Sequence, residues 1–259
     1  MCNYRQEKIT QSKTVHLETE RRFRVRQTNH MIFNSKSSAS DLITEYPHII
    51  PLLNRLGIFL GVGNSTLGEL AGSHGISESF VTAMVNTYLD KEYFPENELR
   101  VFPITELADY LVKTNNYYSN IQLPNIGRHF RSFAQFPLEQ NESVRRLYDF
   151  FLQLQSQMTE EFERENSVYG TLISIAEDPE SLTDNDRETV RGFIAGSDNM
   201  AADKLKDLIT LLVKHLKGEY DANLCHAVIS ALSALENDMR QNHRIRDRIL
   251  SPLIRDIYA

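Results

Sequence analysis

Cysteine is scarce: Cys2 and Cys225 lie far apart and neither belongs to a C-x-x-C pair. A disulfide framework and a cysteine-rich zinc site are therefore excluded. No apolar run approaches the roughly 18 residues of a membrane span. Residues 1–30 are too studded with charge to form a signal peptide. There is no G-x-S-x-G elbow, no P-loop and no H-E-x-x-H. Gly61-Val62-Gly63 is too short for a dinucleotide fingerprint and lacks its strand–helix context. Valine, isoleucine and threonine never alternate with polar residues over a long enough run to make strands. These absences point to a cytoplasmic, all-helical protein that is not an enzyme and does not engage a membrane.

What is present suffices for a core: 41% of the 259 residues are apolar and 24% charged. The charge is unevenly placed. Residues 1–39 hold eight basic side chains against three acids, a net of +5, which leaves −12 for the rest of a chain whose total is −7. Residues 1–37 read as a solvated basic tail with too little apolar content to offset the entropy of ordering. Met31 opens MIFNSKSSASDL, which reads as a natural start running into a helix cap.

Two breaks divide the body: YFPENELRVFP at 93–103, with Pro95 and Pro103, and the turn-prone EDPESLTDND at 177–186. Residues 38–92 read as a small domain of three or four short helices. Ser40 or Asp41 caps the first, Pro51 kinks the pattern, Thr66 opens a helix and Ser77 opens another. Residues 104–259 carry longer stripes at alternating steps of three and four. One runs Leu107, Leu111, Thr114, Tyr118, Ile121. A second runs Leu147, Phe151, Leu154, Met158 and then passes Glu161 and Glu165 before Val168 and Leu172. A third has Leu205, Leu208, Leu212, Leu216. The last runs Val228, Leu232, Leu235, Met239, Asn242, Arg246, Ile249, Leu253, Ile257. Four amphipathic helices of this kind predict an antiparallel bundle with one polar layer in its core.

The residues of that layer, with those of the N-terminal segment, resemble the iron–sulfur cluster repair di-iron proteins. That family joins a small helical domain to a hemerythrin-like four-helix bundle. The resemblance covers roughly residues 38–257. Its more specific part is Asp41-Leu42-Ile43-Thr44-Glu45-Tyr46-Pro47, Leu56-Gly57-Ile58, Gly63 and Thr66-Leu67-Gly68-Glu69. The family's adjacent cysteine pair would fall at Gly61 and Val62, so no thiol role carries over. Its H-x-x-x-E pairs, four apart so that both side chains share one helix face, fall here on Glu161 with Glu165 and on Asn242 with Arg246. The adjacent histidines of the first bundle helix are replaced by Thr114-Asn115-Asn116. The third helix offers Asp198 or Asp203 according to register. A one-residue shift in the last helix instead brings His243 with Asp247.

Between His129 and His215 there is no histidine, although a di-iron centre relies on several imidazoles beside its carboxylates. An arginine at a ligand position also repels a cation. The expectation is a degenerate, metal-free site in which Arg246 pairs with Glu161, Glu165 or both. Thr114, Asn115, Tyr118, Asn242 and Asp198 or Asp203 would complete the layer. The implied role is binding or regulation in stress response or signalling, with an unidentified protein as partner. The alternative is a metal-binding cluster-repair or O2/NO-responsive di-iron protein with Glu161, Glu165, His243 and Asp247 as ligands. A second alternative is a helix-turn-helix regulator, from the spacing of TLGELAGSHGISESFVTAMVNTY at 66–88. Its second helix carries no Lys or Arg before Lys91, so the phosphate contacts that dominate nucleic-acid affinity are missing.

Overall fold

The computed structural model describes residues 33–90, 92–135, 141–181, 183–195 and 200–258. The expected basic tail therefore falls almost wholly outside the described residues, and so does Asp198. Every regular element among the described residues is a helix, with a single isolated bridge between Ser38 and Thr66 and no strand. No described helix is long and apolar enough to cross a membrane.

Helix α1 spans Ala39–Glu45, α2 Ile50–Arg55, α3 Leu67–Ser73 and α4 Glu78–Leu89. The cap of α1 is Ser38, not Ser40 or Asp41: its hydroxyl accepts from the Asp41 amide at 3.3 Å. Ser35 and Ser37, which composition assigns to the tail, already take part, since their carbonyls accept from the Gly68 and Leu67 amides. Thr66 and Glu69 form a reciprocal capping box at α3, and Ser77 caps α4. Helix α2 ends in a Schellman motif. The Gly57 amide bonds the Asn54 carbonyl, the Ile58 amide bonds Leu53, and Gly57 has φ +79°. Glycine takes that left-handed turn without a Cβ penalty. The stop fixes Arg55 on the last turn of α2, facing inward with Leu52 and Leu53.

The single turn α5 (Glu96–Leu99) lies in the connector. Phe94 beside it lies under the guanidinium groups of Arg244 and Arg248, at 4.6 and 4.3 Å, and Arg248 also pairs with Glu96. The longer elements follow: α6 (Ile104–Tyr117), α7 (Leu123–Ala134), α8 (Glu142–Glu177), α9 (Asp184–Ala195), α10 (Met200–His215), α11 (Ala222–Ile245) and α12 (Ser251–Tyr258). Helix α6 packs on α8, α7 on α8 and α11, and α10 on both α8 and α11, around one apolar core. Helix α2 packs on α6, and α4 on α11. Ser35–Ala259 cluster together as one compact unit.

Two π-turns shape this core. Tyr118–Gln122 joins α6 to α7, and Arg246–Leu250 joins α11 to α12. In each, an amide reaches back five residues, Leu123 to Tyr118 and Ser251 to Arg246. Each is followed at the second residue by a proline, Pro124 or Pro252. Proline offers no amide to the carbonyl four residues earlier, and its ring crowds that carbonyl. A wider turn just before it relieves both problems. The extra residue also shifts the stripe. After Tyr118 the buried positions are Leu123, Ile126, Phe130 and Phe133, while Ile121 is 52% exposed. After Arg246 the helix buries Ile249, Leu250 and Ile254, where an unbroken period selects Leu253.

Candidate functional site

The two π-turns begin at Tyr118 and Arg246, and both residues line a small cavity. The cavity is about 10 Å3, no larger than a single water needs, and is walled by Leu111, Phe162, Tyr169 and Met239 as well as by polar groups. Arg246, 4% exposed, donates from Nη1 to Glu165 Oε1 at 2.7 Å and from Nε to Asp247 at 2.8 Å. The other Glu165 oxygen accepts from Asn115 Nδ2 at 2.9 Å. Burial lowers the Arg246 pKa, but the Glu165 and Asp247 charges outweigh it and hold the guanidinium protonated. Arg246 Nη2 and His243 Nδ1 are buried without a protein hydrogen-bond partner, and both residues border the cavity.

The partner of Arg246 is Glu165, and no hydrogen bond joins Glu161 to it. Helix α8 buries Met158, Phe162 and Tyr169 on its inner line, leaving Glu161 half-buried at the edge. There burial, and then the Glu165 charge, raise the Glu161 pKa. Asp203 also stands outside the layer, paired on the surface with Arg240 at 2.9 Å. Thr114, Asn115, Tyr118, Glu165, Asn242 and Arg246 are brought together; His243 and Asp247 flank them.

One turn away lies a second polar storey that the sequence reading missed. Arg55, its side chain 0% exposed, donates to Asp238 at 2.5 Å. The Tyr88, Tyr117 and Tyr118 rings lie 5.5 to 5.8 Å from its guanidinium carbon. Its Nη1 also donates to Thr114 Oγ1 at 3.4 Å. Asn242 joins the storeys: Nδ2 donates to Tyr118 Oη at 2.6 Å and to Asp238 Oδ1 at 2.9 Å, and Oδ1 accepts from Tyr110 at 2.8 Å. Burial lowers the Arg55 pKa, but the Asp238 charge leads the opposing effects and carries it well above its ordinary value. Burial, with Asp238 adding, also raises Tyr118 well above the phenolic range. Burial likewise raises Tyr110, so Tyr110 and Tyr118 act as neutral hydrogen-bonding groups. The available signal was Asp238 four residues before Asn242, together with a charged Arg55 on the Leu52–Leu56 face of a short apolar helix.

Two irons do not fit this donor set. One imidazole and one half-buried carboxylate border the cavity, and a fixed guanidinium lies on that carboxylate. Among the described residues no group of three or more His, Cys, Asp or Glu is placed to hold a metal. In the helix-turn-helix segment, α4 buries Phe80, Val81, Ala83, Met84, Val85, Asn86 and Thr87. Glu78 and Ser79 are among the positions it exposes, so this helix presents no basic face to a groove.

Acid should test the layer. Burial, with the Arg246 charge adding and Asp247 opposing, pushes the His243 pKa down from 6.5 to about 4. The folded state thus binds fewer protons than the unfolded chain between those values. The His243 contribution is complete above about pH 6.5 and is lost as pH falls toward 4, on the order of 3 kcal/mol. The raised Glu161 acts oppositely and offsets part of this in acid. Urea unfolding at pH 7 and at pH 4.5 should show His243→Gln losing markedly less stability than wild type.

No family model matches this chain, and neither a curated protein nor a solved structure matches it.

Proposed function

We propose that this chain is a hemerythrin-like four-helix bundle, with a small helical N-terminal domain, whose di-iron centre is replaced by the Arg246–Glu165 ion pair. It then serves as a non-enzymatic binding or regulatory protein in stress response or signalling. The support is the buried guanidinium of Arg246, one wall of the cavity and 2.7 Å from the carboxylate that a metal would need. A fixed positive charge there satisfies Glu165 and repels a second cation. The paired π-turns support the same reading, since such turns concentrate at functional layers of helices.

The metal-binding alternative draws on one observation: His243 is held neutral, with Nδ1 lacking a protein partner, beside Arg246 and Asp247. Expression with added iron followed by elemental analysis separates the two. The metal-free reading expects well under one iron per chain after desalting. Two irons per chain would overturn it.

A further inference from the structure

The ion pairs of Arg246 leave two polar atoms over. Arg246 Nη2 and His243 Nδ1 are buried, and neither has a hydrogen-bond partner among the described residues. Both residues line the same cavity of about 10 Å3. The Arg246 side chain is 5% exposed, and its Nη1 and Nε are taken by Glu165 and Asp247. The remaining nitrogen can only donate, and it is closed off from bulk solvent. A buried donor without an acceptor is costly, and ordered water commonly meets such groups.

Size and charge select what meets these two nitrogens. One water needs about 10–15 Å3, so the space admits one water and nothing of several heavy atoms. A cation would face the N–H of a guanidinium. An anion would join one guanidinium and two carboxylates, Glu165 and Asp247, a group already net negative. An apolar diatomic would leave both nitrogens unpaired. A neutral molecule that both donates and accepts satisfies all of these conditions.

We infer that this cavity is the site of one ordered water, which accepts from Arg246 Nη2 and donates to His243 Nδ1. The direction follows from the neighbouring charge. Beside a guanidinium, a lone pair on Nδ1 is favoured electrostatically over an N–H, whose positive end would meet a cation. His243 is thereby held as the Nε2–H tautomer, set by Arg246 through the water and not by a direct bond. This rests on the metal-free reading, since two irons would take the same space.

The test is a crystal structure of the full chain, a bromide-soaked crystal beside it, and nitrogen-15 spectra of the His243 ring at pH 7, assigned with His243→Gln. The expected result is a density peak within hydrogen-bond distance of both nitrogens, no anomalous signal there after bromide, and Nδ1 resonating as the unprotonated nitrogen. In solution, deuterium relaxation dispersion counts long-lived buried waters. His243→Leu should hold one fewer than wild type, and His243→Asn, whose amide reaches the Nδ1 position, should hold the same number. Direct contact of Arg246 Nη2 with His243 Nδ1, bromide at the peak, a protonated Nδ1, or an unchanged count in His243→Leu would each overturn the assignment. Iron content of the same protein tells the two failures apart: iron-free protein lacking the water rejects the water alone, and two irons per chain reject both.

Discussion

Replacing Arg55 with alanine should cost about 3–5 kcal/mol, among the largest single-residue effects in the molecule. The reason is what remains. Asp238, its side chain 3% exposed, keeps a full negative charge, loses its ion pair and retains only the Asn242 amide. Water cannot replace the guanidinium without entering a layer closed by Tyr88, Tyr110, Tyr117 and Tyr118. The cost should be largely a stranding cost. An Arg55→Met, Asp238→Leu double variant should therefore recover most of it, because two apolar groups of similar volume leave no unpaired charge. Urea unfolding of the two single variants and the double variant measures this directly. A single-variant loss below about 1 kcal/mol would show that water reaches the pair.

The Arg246→Ala replacement should cost about 3 kcal/mol, somewhat less than Arg55. Glu165 retains the Asn115 amide, and its side chain is 14% exposed rather than sealed. Arg246→Lys should recover only part of the loss. One ammonium cannot reproduce the geometry in which Nη1 meets Glu165 while Nε meets Asp247. The same unfolding series reads both variants, and full rescue by lysine would show that charge alone matters at this position.

The helices, their period and most of the Arg246 storey were legible in the sequence because stripes at three- and four-residue steps bury what they touch. Thr114, Tyr118, Asn242 and Arg246 lie on such stripes and are all buried. The stripe failed where the period changed. Pro124 and Pro252 force a π-turn before each of them, and from there the inner face moves by one residue. Glu161 was misplaced for a different reason. Helix α8 is long, and near the layer both lines, Glu161–Glu165 and Phe162–Tyr169, fit the period. Packing against Tyr118, whose ring lies 5.6 Å from Phe162, selects the aromatic line. Arg55 was missed because its partner lies 183 residues away, and no local pattern in a six-residue helix announces a contact at that range.

On the proposed reading, the Arg246 guanidinium rather than a metal ion balances Glu165 in this layer. Anaerobic titration with ferrous iron tests it most directly, comparing wild type with an Arg246→Glu, Asn242→His, Asn115→His triple variant. The variant exchanges the cation for a carboxylate and adds two imidazoles beside Glu165 and His243. The account expects no stoichiometric binding by wild type and a measurable gain in the variant. Tight binding of two ferrous ions by the wild-type chain would contradict it.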